Sequence, residues 1–301
     1  MARHIEIVEV GPRDGLQNDP ADLTTDQKLE FIDRLECCGV RRIEAGSFVS
    51  PKAVPKMADS VDIFRSLEKA DGRSRIALAL NEKGMRRAID ANADEINFVL
   101  VASETFGKRN QGMTPAESAD MLDQCAPLAH EAGISLSATI SVAFGDPYDG
   151  EVDPVAVEGL ARRAATSGIT ELALGDTIGV ATPWAVRDMV ERLNSAVPYV
   201  PLRMHFHDTR GLGTANVFAA VEAGVDIIDA SCGGIGGCPF APAATGNVAT
   251  EDVVFMLERA GFDTGIDLGK MLETADWLKG ALGHPISSAL SQAGVFPPVP
   301  I

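Results

Sequence analysis

His205 and His207 stand two apart in the β-rich run LRMHFH, which ends at His207. Alternate residues of a strand share a face, so both imidazoles project to one side, with Cα atoms about 6.6 Å apart at roughly 3.3 Å per residue. Two imidazoles so placed can reach one ion. Asp14, just past the first β-rich run, offers a carboxylate, and Asn247, past the eighth, could add a neutral oxygen. Two nitrogens with two oxygens, one anionic and one neutral, and no thiolate suit Mg²⁺, Mn²⁺ or Co²⁺ better than a closed zinc site. The other reading of the pair is two packed core histidines. Because the other inward residues are expected to be apolar, metal binding is the reading taken.

Arg13 lies beside that carboxylate and is the cation best placed to meet a developing negative charge; the alternative is a surface pair with Asp14. Glu44 ends the second run and Asp176 follows the sixth. After the eighth comes Gly233-Gly234-Ile235-Gly236-Gly237-Cys238, which fits neither G-x-G-x-x-G nor G-x-x-x-x-G-K-[ST]. It reads either as a mobile loop that carries Cys238 to a substrate or as a tight turn with a buried thiol. Lys52, Lys56, Lys108 and Arg109 are expected to cluster in the loops after the second and fourth runs. They suit an anionic ligand such as a nucleotide-containing carrier, or are ordinary solvated side chains.

These residues need a scaffold that gathers them. Short β-rich runs begin near Ile5, Arg42, Arg75, Glu95, Ser135, Glu171, Leu202 and Ile227, and helical apolar spacing fills the stretches between, as at Leu29, Ile32 and Leu35. Gly39, Gly133, Gly168 and Gly224 stand where a helix should end in a left-handed residue. Strand then helix, eight times over, predicts an α/β fold, a (β/α)₈ TIM barrel, with a doubly wound open sheet as the alternative. In such a barrel every residue named above falls at the C-terminal ends of the strands, where active sites are built. No linker divides the 301 residues, so one catalytic domain is expected over 1–301, with a short helical extension over about 267–301 acting as a cap or subunit contact.

The 26 cations against 43 anions give a net charge of −17 with no basic block, which argues against nucleic-acid or anionic-membrane partners. The N-terminus has no apolar signal core, and no apolar run approaches the roughly 20 residues of a membrane helix. An odd count of 5 cysteines without a C-x-x-C pair points to reduced thiols in a cytoplasmic compartment, with Cys37, Cys38 and Cys125 as helix packing residues.

The segments VEVGPRDGLQN (Val8 to Asn18), IEAGSFVSPKAVPKMAD (Ile43 to Asp59), LGDTIGVATP (Leu174 to Pro183), HFHDT (His205 to Thr209) and GGIGGCPFAPAATGNVATED (Gly233 to Asp252) resemble those of 3-hydroxy-3-methylglutaryl-CoA lyases, metal-dependent TIM-barrel lyases. The resemblance runs in order through nearly the whole chain. It implies cleavage of 3-hydroxy-3-methylglutaryl-CoA, an acyl-CoA substrate, to acetyl-CoA and acetoacetate with Mg²⁺ or Mn²⁺. It implies Asp14, His205, His207 and Asn247 as metal ligands, Arg13 and Cys238 as catalytic, and Glu44 and Asp176 as supporting acid/base or orienting groups. Asp14 or His205 would take the hydroxyl proton, Arg13 would hold the forming enolate oxygen, and Cys238 would protonate the enolate carbon. The expected assembly is a homo-oligomer, a dimer or larger. Arg210 departs from the pattern, standing where a tyrosine is expected; at the rim its planar fork would suit a bulkier or more anionic acyl group. A related lyase with a different 3-hydroxyacyl-CoA and a non-catalytic barrel that binds metal or CoA are the alternatives.

Overall fold

The computed structural model describes residues 2–69, 72–236 and 246–297. Gly237, Cys238 and the last residues of the C-terminal extension, from 298, lie outside the described residues. The β-rich runs are strands: β1 (Glu6–Glu9), β2 (Arg42–Ser47), β3 (Ser74–Ala79), β4 (Glu95–Val101), β5 (Ser135–Ser141), β6 (Glu171–Asp176), β7 (Leu202–Phe206) and β8 (Ile227–Ala230). Each is parallel to the next, and β8 closes on β1 with Val8 opposite Asp229, so the sheet is a closed barrel and not the open alternative.

Around it, in chain order, lie α1 (Leu16–Asn18), α2 (Thr25–Cys37), α3 (Ser60–Ser66), α4 (Glu82–Asp90), α5 (Glu104–Asn110), α6 (Pro115–Glu131), α7 (Pro154–Thr166), α8 (Pro183–Ala196), α9 (Gly213–Glu222), α10 (Thr250–Arg259), α11 (Leu268–Leu282) and α12 (Ala289–Ala293). The starts follow from sequence chemistry. Capping boxes at Thr24–Gln27 and Thr114–Glu117 open α2 and α6, while Pro154 and Pro183 begin α7 and α8 behind the N-caps Asp153 and Thr182. Gly39, Gly133, Gly168 and Gly224 take positive φ of 100°, 68°, 80° and 102°, as their positions predict. Among the described residues no helix is long and apolar enough to cross a membrane.

The strands sort their side chains by parity. Ile43, Ile96, Phe98, Leu100, Leu172, Met204 and Phe206 join the large buried cluster between sheet and helices. The opposite parity faces the barrel axis, and there the expectation of apolar neighbours for the histidines is wrong. Near the strand starts Arg42 contacts Glu171 at 2.8 Å and Glu95 at 2.9 Å, and Arg203 contacts Glu171 at 3.2 Å. Val8, Val10 and Ile76, with Ile227 against them, form a small apolar cluster inside the barrel, and Asp229, 3.4 Å from Arg203, links this ionic floor to the polar level of Glu44, Asn97, Thr139 and His205. Helices covering the outside demand apolar residues only at alternate positions. The inward set is therefore free to be polar, provided that its charges pair.

The C-terminal extension caps α2. Trp277 of α11 stacks on Phe31 at 6.1 Å, with the Arg34 guanidinium 4.9 Å from its ring. Cys38 and Cys125 are buried, whereas Cys37 is exposed at the end of α2 and is not the packing residue its helical position suggested.

Candidate active site at the mouth of the barrel

Beyond β1 the chain winds through a tight turn, Gly11–Gly15, whose amides of Arg13, Asp14 and Gly15 all donate to the Val10 carbonyl at 3.1, 2.7 and 3.2 Å. This turn aims Arg13 and Asp14 into the barrel. Glu9 underpins it: Oε1 accepts from the Gly11 and Cys232 amides, both at 2.8 Å, and Oε2 accepts from Thr250 Oγ1 at 2.7 Å. One buried carboxylate thus joins the first and last catalytic loops.

Across the mouth, His205 and His207 point their Nε2 atoms at Asp14 Oδ2, at 3.9 and 3.6 Å, with ring centroids 5.2 Å apart. Donor atoms from Asp14, His205 and His207 all lie within 4.8 Å of one another, so the three can share an ion. One carboxylate oxygen and two imidazole nitrogens fit a divalent cation, and buried His207 Nδ1 has no hydrogen-bond partner among the described residues. Asn247 is paired by its backbone with His207 and donates Nδ2 to Asp14 Oδ2 at 2.8 Å; as a ligand it must present its oxygen instead.

The electrostatics keep Asp14 ionised. Burial alone would lift its carboxyl, but the Arg13 guanidinium and the two histidines outweigh that and hold it well below the usual carboxylate range. His205 shifts the other way. Burial opposes its charge, yet Asp229, whose Oδ2 lies 3.1 Å from Nδ1, and Asp14 raise it.

Arg13 is no surface pair. It is largely buried, contacting Asp14 at 2.6 Å through Nη1 and Glu44 at 2.6 Å through Nε. Glu44 accepts in turn from Asn97 at 3.2 Å, and Asn97 from Thr139 at 2.9 Å, a chain of hydrogen bonds across β2, β4 and β5 that fixes the guanidinium. All of this opens on a cavity of about 250 Å³, lined also by Gln17 and Asn18, Ser141, and the apolar Val49, Leu78 and Phe106.

Other sequence candidates stand elsewhere. Both Asp176 oxygens are taken by the Val180 and Ala181 amides at 2.8 and 3.0 Å, so it shapes the loop after β6 and does not line the cavity. The four rim cations do not act as one cluster. Lys56 Nζ turns to the carbonyls of Asp19 and Ala21, the latter at 2.9 Å, while Lys52 is exposed. Lys108 and Arg109 lie on α5 and not in a loop, pairing with Glu104 at 2.5 Å and stacking on Tyr148 at 4.2 Å. Arg210 does not reach the cavity; its guanidinium donates to the Ile178 and Gly179 carbonyls at 2.6 and 3.2 Å. Of the glycine run, Gly233, Gly234 and Gly236 take positive φ in a tight turn after β8. Glu9, Asn97, Thr139, Arg203 and Asp229 are residues that sequence reasoning missed. For Arg203 and Thr139 the alternation of polar and apolar residues in LRMHFH and SLSATIS was the available signal, and for Asn97 the polar-apolar start of EINFVLV.

Comparison with known proteins agrees with this arrangement. The HMGL-like family model matches residues 4–278. The chain is 42% identical over 293 residues to the mitochondrial hydroxymethylglutaryl-CoA lyase of Rattus norvegicus, covering 97% of this chain and 90% of that one. It is 38% identical over 286 residues to a hydroxymethylglutaryl-CoA lyase of Bacillus subtilis, covering 95% and 96%. Among solved structures, an HMG-CoA lyase from Acinetobacter baumannii in complex with coenzyme A and 3-methylmalate superposes with a TM-score of 0.93 at 40% identity, covering 98% of each chain. A match that spans the barrel from its first strand into α11, with the acid, the histidines and the arginine converging at its mouth, leaves one conclusion: the chain belongs to the HMGL-like family.

Proposed function

We propose that this protein cleaves 3-hydroxy-3-methylglutaryl-CoA to acetyl-CoA and acetoacetate. The observation that carries the reading is the convergence of Arg13, Asp14, His205 and His207 on one cavity in a chain so similar to lyases of that name. A divalent ion, Mg²⁺ or Mn²⁺, held by Asp14, His205, His207 and Asn247 would supply Lewis-acid polarisation of substrate oxygens.

The protein's own groups account for the rest. The tertiary hydroxyl gives up its proton, the C2–C3 bond breaks, and its electron pair forms the enolate of acetyl-CoA. Asp229 keeps a proton on His205 Nδ1, which leaves the Nε2 lone pair to accept the hydroxyl proton. A nitrogen that ligates an ion has no such lone pair, so His205 serves either as ligand or as base; in the first case Asp14 is the acceptor. Arg13, locked by Glu44, offers a fixed charge to the thioester oxygen as it becomes an enolate. The proton that completes acetyl-CoA is assigned to Cys238 on the resemblance alone. Free thiols among the described cysteines support a reducing, cytoplasmic setting, and exposed Val155, Trp184 and Phe218 on α7, α8 and α9 support a homo-oligomer.

The test is to incubate chelator-stripped protein with 3-hydroxy-3-methylglutaryl-CoA, with and without Mg²⁺ or Mn²⁺, and to measure acetoacetate. Metal-dependent release supports the lyase. Tight binding of the acyl-CoA without acetoacetate would support the non-catalytic barrel instead.

A further inference from the structure

After α11 the chain turns through Gly283, at φ 73°, and runs as His284-Pro285-Ile286-Ser287 before α12. This short segment touches the neighbouring loops after β1 and β8, which Glu9 already joins beneath the barrel mouth. On one side His284 Nε2 lies 2.8 Å from Asp19 Oδ1, and its Nδ1 lies 2.9 Å from the Pro285 carbonyl. Both ring nitrogens face acceptors, so the contact is satisfied fully only by the imidazolium. Asp19 is buried, its Oδ1 also accepts from the Ala21 amide at 2.8 Å, and it ends α1, five residues beyond Asp14. Lys56, itself 3.3 Å from Asp22, also holds this loop, through the Asp19 and Ala21 carbonyls.

On the other side Ser287 donates its amide to the Gly233 carbonyl at 3.0 Å and its hydroxyl to the Gly234 carbonyl at 2.9 Å. Ile286 covers Gly233 so closely that a Cβ there would sit 3.1 Å from Ile286 Cγ2. The segment is anchored in turn: Ser288 and the amides of Ala289 and Leu290 bind Asp252 at 2.7 to 3.0 Å, and Ser291 binds Glu251 at 2.9 Å, whose other oxygen accepts from the Gly233 amide.

We propose that residues 284–287 form a strap whose positioning residues, His284 and Ser287, hold the loop bearing Arg13 and Asp14 in register with the turn after β8. The strap acts through Asp19 and through the Gly233 and Gly234 carbonyls, and touches neither the cavity nor the ligand set. Asp19 and the Pro285 carbonyl lift the His284 ring above the ordinary imidazole value, which keeps the clasp charged near neutrality. The proposal rests on the lyase reading only for its kinetic readout.

The experiment compares wild type, His284→Ala, His284→Lys and Asp19→Asn by hydrogen–deuterium exchange and by steady-state kinetics. Loss of a hydrogen bond to a charged group should speed exchange in peptides covering 11–22 by about 10-fold or more. Peptides from β5, across the barrel, should be unchanged, and kcat should fall several-fold. His284→Lys, which returns a cation to Asp19, should restore both. Asp19→Asn, which can still accept from Ala21, should reproduce the alanine effect should His284→Ala fold poorly. Faster exchange throughout the molecule, unchanged exchange at 11–22, or a lowered kcat that lysine does not rescue would overturn the strap. A wild type that makes no acetoacetate would sink the lyase reading while the exchange result still decides on the strap.

Discussion

Replacing Glu9 by glutamine should abolish a pH dependence of stability that the wild type carries between pH 5 and pH 8. Glu9 is fully buried, and burial, with Glu251 nearby, lifts its carboxyl from the ordinary 4.5 to about 8 despite the hydrogen bonds it accepts. In this window the native protein holds a proton on Glu9 that the unfolded chain has mostly released. Stability therefore falls as pH rises, by about 1.4 kcal/mol per unit at most. From pH 5 to pH 8 the loss is about 3 to 4 kcal/mol, after allowing for partial titration at each end. Glutamine never ionises; its oxygen can still accept from Gly11 and Cys232, and its nitrogen, in place of the acceptor Oε2, can donate to the Thr250 hydroxyl oxygen. The assay is urea unfolding of both proteins at each pH unit from 5 to 8, reading the difference between them so that groups common to both cancel. The variant should gain on the wild type steadily with pH. Profiles parallel to within about 1 kcal/mol would mean that Glu9 ionises as an ordinary surface carboxylate does, and would refute the reasoning.

Arg13→Gln should lower kcat by about 10²- to 10³-fold, the scale of losing one oxyanion donor, and should also cost about 3 to 5 kcal/mol of stability, because Asp14 and Glu44 are left buried without their cation. Unchanged turnover in folded variant would make it a purely structural residue. His205→Gln separates ligand from base: Mn²⁺ affinity by calorimetry holds while kcat collapses if Nε2 takes the proton, and affinity falls with it if Nε2 ligates. Asp229→Asn should weaken Mn²⁺ binding by about 10- to 100-fold if His205 is a ligand that it orients. Unaltered affinity in both variants would remove His205 from the metal site.

The scaffold and the principal residues were legible because parallel strands buried on both faces leave strong apolar runs, and because glycine marks the helix ends. Asp14, His205 and His207 could be brought together from strand position alone. What could not be read was the use made of side chains whose partners are distant in sequence. Arg210 and Lys56 looked available because their neighbours along the chain are loops, yet each binds carbonyls of a loop supplied by another strand. Asp176 reads in sequence as an acid/base or orienting group, and sequence alone does not show that the backbone of its own loop turns back to bind both oxygens. The polar lining of the barrel was misjudged for a different reason. Apolar counting scores a strand as a whole, whereas alternate residues answer to different neighbours, the helices outside and one another within.

The ionic floor restricts how this sequence can change. Arg42 and Arg203 pair with Glu95, Glu171 and Asp229 deep in the barrel, where an orphaned charge is expensive. Arg203→Met alone strands carboxylates, and Glu171→Leu alone strands guanidinium groups, although an apolar floor changed at all positions together could be as stable as the present one. Single-step substitutions here are therefore blocked while compensated sets are open. Divergence at these positions should be strongly epistatic, with an arginine on one strand exchanged only alongside a carboxylate on another.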